Sequence, residues 1–133
     1  MDYLEVVELR KDWPMKRVEA SFTLPRGGAL ALVGPSGCGK SSVLRMIAGL
    51  LACDSGSVVL DGADITRVDA GKRNVGMVFQ DHALFPHLSV EDNIAYGLVS
   101  RGMGRSASRD EAARWLELFS LDGFAKRRVG TLS

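Results

Sequence analysis

The feature that most constrains this chain is a glycine-rich segment at residues 34–41, which has the sequence GPSGCGKS. It matches the phosphate-loop pattern G-x-x-x-x-G-K-[ST] at every fixed position. The apolar run ALALV at residues 29–33 comes directly before it, and a helical pattern follows from about residue 39 to residue 50. Because the run does not alternate, it predicts a strand buried on both faces of a parallel sheet. We therefore expect a strand, a phosphate loop and a helix in that order.

This loop predicts nucleotide binding. Glycines let backbone N–H groups curl around phosphate oxygens, and the start of the helix adds partial positive charge. The ammonium group of Lys40 is expected to contact the β- and γ-phosphates of ATP, and the hydroxyl of Ser41 to bind Mg²⁺. The competing interpretation is a glycine-rich turn that contains Lys-Ser by chance, and the strand and helix on either side disfavour it. The residues expected to contact the nucleotide are Gly34, Pro35, Ser36, Gly37, Cys38, Gly39, Lys40, Ser41 and Ser42.

The composition excludes several other classes of protein. Of the 133 residues, 46% are hydrophobic and 25% charged, as in a globular domain and unlike a disordered chain. The 17 basic and 16 acidic residues leave a net charge of +1, which argues against a dedicated nucleic-acid binder. An acidic start and no run of about 18 apolar residues predict a soluble, unexported chain. Cys38 and Cys53 are too few for a disulfide scaffold, so both are expected to be reduced thiols.

Several short segments have the pattern of β-strands. Polar and apolar residues alternate over residues 4–9 and 18–24, which predicts two half-exposed strands in an antiparallel layer. Further strands are predicted over residues 57–60, followed by a turn at residues 61–62, and over residues 74–79. With the predicted helices, this order indicates an α/β fold that includes an antiparallel β portion.

Helical periodicity and capping signals predict three helices. The second is expected to begin at Ser89, whose hydroxyl caps the first turn while Asp92 reaches back. The third is expected to begin near Ser108, with Glu111 in the same role. A core-facing stripe is predicted on the third helix, formed by Ala112, Trp115, Leu116 and Phe119. The first helix is expected to be buried on most sides, through Val43, Leu44, Met46, Ile47, Leu50 and Leu51.

Other segments extend the phosphate loop into a longer pattern. They are IAGL at residues 47–50, DSGS at residues 54–57, VGMVFQ at residues 75–80 and LFPHLSV at residues 84–90. Over nearly the whole chain, this pattern resembles the ATP-binding subunit of ABC transporters, in the importer branch that serves thiamine, ferric iron, polyamines, sulfate and maltose. The resemblance implies a P-loop NTPase fold. It assigns residues 1–81 to the core, with the phosphate and glutamine loops, and residues 82–133 to the start of the helical subdomain.

The resemblance also implies roles for single residues. Gln80 matches the glutamine-loop residue, which reaches Mg²⁺ and the attacking water and lies where the permease docks. Trp13 stands where the family places the aromatic side chain that stacks on adenine, with Tyr3 as the alternative. Ser42 replaces the usual threonine and keeps a hydroxyl for the α-phosphate. An amide at Gln80 suits its role because it both donates and accepts hydrogen bonds without adding negative charge.

Some chemically suggestive residues are discounted. Asp61 follows an apolar run, as a magnesium-binding aspartate would, but Gly62 stands where a catalytic glutamate is needed, so we expect a plain turn. His82 and His87 have no Cys or carboxylate at metal-binding spacing and are expected to be surface or packing residues. The basic pair at residues 127–128 is expected to be solvated.

The last residues also match the family. Leu132 and Ser133 correspond to the start of its Leu-Ser-Gly-Gly-Gln signature, which contacts ATP on the opposite subunit. The resemblance therefore implies the front part of an importer ATPase, and these residues alone are expected not to hydrolyse ATP. The implied partners are a membrane permease at the cytoplasmic face of the membrane, a second ATP-binding subunit in a homodimer and, indirectly, a solute-binding protein. The alternative hypothesis is a nucleotide-binding fragment without turnover.

Overall fold

The computed structural model describes residues 2–131. The chain forms two compact units, Met1–Met77 and Val78–Ser133. The first unit contains a β-sheet and the helix that follows the phosphate loop, and the second contains two further helices. The family-based division at residue 81 stays a prediction, and the signature residues Leu132 and Ser133 lie outside the described residues.

A four-stranded sheet in the order β2-β1-β3-β4 forms one layer of the first unit. Its strands are β1 (Asp2–Trp13), β2 (Lys16–Pro25), β3 (Ser55–Leu60) and β4 (Ala63–Asp64). Pro14 and Met15 form the turn between β1 and β2, so Trp13 and Lys16 are cross-strand partners. All three strand pairings are antiparallel, which confirms the predicted antiparallel layer.

The predicted turn at Asp61 and Gly62 joins β3 to β4. Its backbone φ angles are 51° at Asp61 and 80° at Gly62. Two positive φ angles in a two-residue hairpin turn match the right-handed twist of the flanking strands, and Asp and Gly tolerate this conformation. Asp61 forms an ion pair with Arg26 at 2.6 Å. The prediction of a plain strand and turn here is confirmed.

The first helix, α1 (Lys40–Ala48), packs one face against this sheet. The shared core of the first unit consists of Val6, Leu9, Val18, Val43, Met46, Ile47, Val58 and Ile65. Leu44 is 47% exposed and Leu50 is 51% exposed, so the prediction of a helix buried on most sides is wrong at these positions. Within residues 2–131, the sheet covers α1 on one side, and Leu44 on the helix stays about half exposed.

Residues 29–33 and 74–79, both predicted as strands, form no strand in the structure. Leu30 is 49% exposed and Val33 is 88% exposed. A strand buried in a parallel sheet needs neighbours that complete its ladder of hydrogen bonds. Every strand pairing among residues 2–131 is antiparallel and involves other segments. The two strand predictions are therefore wrong for this chain, because their apolar pattern depends on neighbours that the described residues do not provide.

The second unit consists of α2 (Val90–Ser100) and α3 (Arg105–Leu118), which pack against each other. Short 3-10 segments follow at Asp122–Phe124 and Val129–Thr131. The buried residues at the contact include Ala95, Ala112 and Leu116, each no more than 3% exposed. These small and branched side chains form the interior of this unit.

The capping prediction is correct for α2 and wrong for α3. Ser89 is the N-cap of α2: its Oγ accepts from the backbone N–H of Asp92 at 3.1 Å and donates to Oδ2 of Asp92 at 2.9 Å. Helix α3 begins at Arg105, with Gly104 as N-cap. Ser108 lies inside α3, where its hydroxyl donates to the carbonyl oxygen of Gly104 at 2.9 Å. The hydroxyl of a serine can therefore find a hydrogen-bond partner inside a helix as well as at the N-cap. The burial of Ser108 in the folded chain determined which of these two positions it occupies.

The predicted stripe on α3 is half correct. Ala112 and Leu116 are buried, at 0% and 2% exposure, whereas Trp115 is 47% and Phe119 65% exposed. The rings of Trp115 and Phe119 stack on each other with centroids 6.4 Å apart. Among the described elements, α2 covers only part of this face and leaves both aromatic side chains partly exposed.

Candidate nucleotide-binding site

The phosphate loop leads directly into the start of α1. Gly39 is the N-cap residue, in the left-handed conformation with φ 110°, and no side chain of residues 2–131 caps this end. The first backbone N–H groups of a helix have no partner within the helix. These amides, together with the positive end of the helix dipole, are therefore available to an anion at the loop.

Gly39 also lets the start of α1 lie directly on the sheet. A Cβ atom built on Gly39 would lie 2.4 Å from Cγ2 of Val18, a buried residue of β2. Real side chains do not approach this closely, so only glycine permits both the backbone conformation and this contact. The second glycine of the motif thus fixes the position of the loop against β2.

The ammonium group of Lys40 lies inside the loop. Its Nζ donates to the carbonyl oxygens of Gly34 and Pro35, both at 2.8 Å, and lies 3.5 Å from Sγ of Cys38. These contacts hold a positive charge at the centre of the loop. Cys38 itself is exposed.

A pocket of about 150 Å³ opens at this point. It is lined by Lys16, Gly37, Gly39, Lys40, Ser41 and Ser42. These residues offer ammonium groups, hydroxyls and backbone N–H groups, and within the described part of the chain no carboxylate lines the pocket. Such a set of donors fits a phosphate group. Among the lining residues, only Lys16 comes from outside the phosphate loop and α1.

Trp13 lies at the same end of the sheet as Lys16, because the two residues close the β1–β2 turn. It is 38% exposed. The alternative aromatic residue, Tyr3, lies at the other end of β1, ten positions away or roughly 33 Å along an extended strand. There the guanidinium of Arg26 lies 4.2 Å from the centre of the Tyr3 ring.

Gln80 belongs to the second unit, where it is exposed and forms part of a turn. The backbone N–H of His82 donates to the carbonyl of Phe79 at 3.1 Å across this turn. His87 lies edge-on to Phe85, with ring centroids 6.0 Å apart. Residues 2–131 contain no cluster of three or more His, Cys, Asp or Glu side chains that could hold a metal ion. A magnesium role for Gln80 and Ser41 stays a prediction.

Sequence reasoning missed Arg73, a buried side chain that holds the other end of α1. Its Nη1 donates to the carbonyl oxygens of Met46 and Ile47, both at 2.9 Å. Its Nε donates to Val68 at 2.7 Å and its Nη2 to Thr66 at 2.6 Å, again at carbonyl oxygens. A cation at the C-terminal end of a helix is favourable. The only sequence signal was an arginine beside an apolar run, which is too common to identify such a contact.

A larger cleft of about 740 Å³ lies beside Arg73. The carboxylates that line it already have partners. The backbone N–H of Asp12 and the ammonium of Lys11 hold the pKa of Asp54 below its ordinary value. The hydroxyl and backbone N–H of Thr66 do the same for the pKa of Asp64. These groups serve the local structure of the first unit.

The phosphate loop, the uncapped helix start and the enclosed lysine together define a P-loop nucleotide-binding protein. The sequence matches the ABC transporter family over residues 18–133, and the chain belongs to that family. It is an N-terminal α/β part of the ABC ATPase domain, which confirms the predicted fold class.

Individual relatives agree with this assignment. The chain is 45% identical over 115 residues to the Fe(3+) ions import ATP-binding protein of Rhizobium etli, covering 86% of this chain and 33% of that protein. It is 41% identical over 135 residues to an sn-glycerol-3-phosphate import ATP-binding protein of Rhizobium johnstonii, covering 100% of this chain and 39% of that protein. The Fe(3+) ions import ATP-binding protein of Escherichia coli O157:H7 is 41% identical over 113 residues. The chain thus spans about a third of the length of the curated relatives it matches.

Proposed function

We propose that this chain is the nucleotide-binding part of the ATP-binding subunit of an ABC importer, which couples ATP binding and hydrolysis to solute uptake. The geometry of the phosphate loop carries this proposal. Lys40 is held inside the loop by two carbonyl oxygens, and the first turn of α1 presents its N–H groups beside it. The names of the relatives, all import ATP-binding proteins, support the same function.

The residues of the first unit suit the phosphate end of ATP. We propose that the loop amides and Lys40 bind the β- and γ-phosphates, and that the Ser41 hydroxyl is a ligand of Mg²⁺. When bound, Mg²⁺ neutralises charge that develops on the phosphates. The ammonium of Lys40 moves from the loop carbonyls toward the phosphate oxygens, since a charge-assisted hydrogen bond to an anion is stronger than one to a neutral carbonyl.

The family implies roles for two further residues. The ring of Trp13 stacks on adenine, which its partial exposure at the end of β1 permits. The amide of Gln80 contacts Mg²⁺ and the attacking water, and the segment around it meets the permease. Both roles are implied by the family and agree with the exposure of each side chain.

The same function implies the partners of the protein. We propose a membrane permease, a second ATP-binding subunit in a homodimer and, through the permease, a solute-binding protein. Among residues 2–131, no helix is long and apolar enough to cross a membrane. We propose that the protein sits peripherally at the cytoplasmic face of the membrane. The relatives import different solutes by name, so the ATP-binding residues do not select one.

Nucleotide binding is tested by NMR titration of the 133-residue chain with MgATP. We expect shifts of the amide signals of Gly37 and Gly39, and at least a tenfold weaker Kd in Lys40→Ala, because the variant loses a charge-assisted contact. Lys72→Ala is the matched control, since Lys72 is an exposed lysine on a short 3-10 segment whose contact is with Asp69. Equal Kd values for Lys40→Ala and the unchanged protein would contradict the proposal.

Hydrolysis tests whether the 133-residue chain turns ATP over by itself. Phosphate release is compared between the 133-residue chain and Lys40→Ala. Because the resemblance assigns no catalytic carboxylate to residues 2–131, we expect no release above the Lys40→Ala background. Release above that background would show that these residues supply the catalytic groups themselves.

A further inference from the structure

We propose that Lys16 is a second phosphate-binding cation of the nucleotide site, supplied by the β1–β2 hairpin. This inference rests on the proposed nucleotide-binding function and adds a residue that lies outside the phosphate-loop pattern. Its ligand class is the polyphosphate chain of a nucleoside di- or triphosphate.

The hairpin delivers Lys16 to the phosphate loop. The two-residue turn at Pro14 and Met15 makes Lys16 the first residue of β2, directly opposite Trp13. From there its Nζ donates to the carbonyl oxygen of Gly37, in the middle of the loop. Two residues further along β2, Val18 packs against Gly39. The hairpin end is therefore held against the loop by one polar and one apolar contact.

Lys16 differs from the other basic side chains of the hairpin in its ion pairing. Within the described residues, the nearby basic side chains each have a carboxylate partner: Arg10 and Arg17 pair with Asp12, and Lys11 pairs with Asp54. Lys16 and Lys40 have no such partner among residues 2–131. Both ammonium groups line the same small pocket. Two cations that converge on one pocket without a carboxylate favour a multiply charged anion there.

The ammonium group of Lys16 also has N–H donors that the loop contact leaves unused. An ammonium group has three N–H donors, and the carbonyl of Gly37 takes one of them. The remaining two can bind phosphate oxygens without breaking the contact that positions the side chain. Lys16 can thus bridge the loop backbone and the phosphates, while Trp13 on the same turn contacts the base. One hairpin would then hold both ends of the nucleotide.

The test measures Kd by NMR titration for two probes, ATP and inorganic tripolyphosphate, which lacks the base. The variants are Lys16→Met, which keeps the length of the side chain, and Lys16→Arg, which keeps its charge. Arg17→Met is the matched control, because it removes the same charge from the adjacent residue, whose Nε pairs with Asp12 at 2.7 Å. Amide spectra of each variant without ligand show that the hairpin is folded.

We expect Lys16→Met to raise the Kd for both ATP and tripolyphosphate about tenfold, as the loss of one charge-assisted contact implies. The Kd values of Lys16→Arg and Arg17→Met should stay within about threefold of those of the unchanged protein. Three results overturn the inference. The first is that Lys16→Met binds both probes with the Kd values of the unchanged protein, and the second is that it binds ATP more weakly but tripolyphosphate equally well. The third is that the Kd values of Arg17→Met rise as much as those of Lys16→Met. In each of these cases the proposed function survives, since the unchanged protein binds ATP. If the unchanged protein binds neither probe, the proposed function and this inference both fail.

Discussion

Arg73 and Gly49 are packed so closely that a Cβ atom built on Gly49 would lie 2.5 Å from Nε of Arg73. Gly49 caps the C-terminal end of α1 with φ 79°, a left-handed conformation that favours glycine. The guanidinium can therefore reach the last carbonyl oxygens of α1 only because residue 49 has no side chain. The phosphate-loop helix is thus fixed at both ends by a glycine, Gly39 against β2 and Gly49 against Arg73.

Gly49→Ala should destabilise the first unit by about 3 kcal/mol. The change adds the cost of a left-handed non-glycine residue to that of displacing a buried, hydrogen-bonded arginine. Urea unfolding monitored by circular dichroism measures the loss. Gly71→Ala is the control, since Gly71 has neither a positive φ nor a described atom within 4 Å of a built Cβ. A loss no larger than that of Gly71→Ala would show that Arg73 adapts to a side chain at residue 49.

Trp13 should report the binding of the adenine base. Stacking changes indole emission, and Trp13 lies at the turn that reaches the phosphate loop. Trp115 is partly exposed on α3 and stacks on Phe119, so ATP should leave its emission unchanged. Fluorescence titrations with MgATP are made on Trp13→Phe and Trp115→Phe. Survival of the ATP-dependent change in Trp13→Phe, with its loss in Trp115→Phe, would disprove the assignment of the base site.

Cys38 should be protected from thiol reagents by MgATP. It is exposed within the phosphate loop, and its Sγ lies 3.5 Å from the ammonium of Lys40, where bound phosphates would cover it. The rate of maleimide labelling at Cys38 should fall at least fivefold at saturating MgATP, while Cys53 serves as the internal control. Labelling is mapped by mass spectrometry of proteolytic peptides. An unchanged rate at Cys38, at a concentration where NMR shows binding, would place the nucleotide elsewhere.

Ser89→Ala should destabilise the second unit by about 1 kcal/mol at pH 7, the usual cost of losing an N-cap. The hydroxyl of Ser89 and the guanidinium of Arg109 lower the pKa of Asp92 in the folded state. A carboxyl group with a lowered pKa stabilises the fold fully above its unfolded pKa, about 3.9, and loses this contribution as the pH falls through the folded value. The difference between the unchanged protein and Ser89→Ala should therefore shrink as the pH falls from about 5 to below the unfolded pKa of about 3.9.

Urea unfolding at several pH values checks this trend. Ser100→Ala is a suitable control, because the Ser100 hydroxyl donates only to the carbonyl of Gly97 among the described residues. The change in the free energy of unfolding caused by Ser100→Ala should not depend on pH over the same range. A pH-independent loss in Ser89→Ala would mean that the hydroxyl contact to the Asp92 carboxylate contributes nothing to stability.

Local sequence patterns determined the elements whose structure depends on nearby residues. The alternation in β1 and β2, the turn at Asp61 and Gly62 and the cap at Ser89 are satisfied by contacts within a few residues or across one hairpin. The phosphate loop was recognisable for the same reason, since its glycines, lysine and following helix start are consecutive. These features follow from backbone geometry and from short-range hydrogen bonds.

Tertiary structure alone decided which apolar segments are covered and which polar side chains converge. The run at residues 29–33 has the composition of a buried strand, yet burial needs neighbouring strands, and no local pattern records whether they are present. Trp115 fits a core-facing stripe but is exposed, because the described elements cover only part of α3. Lys16 and Arg73 belong to no recognisable sequence motif. They gained their roles because a hairpin turn placed one ammonium beside Gly37, and because a glycine left one guanidinium room at the end of α1. Such contacts join residues more than twenty positions apart, so they depend on the folded chain and not on local sequence.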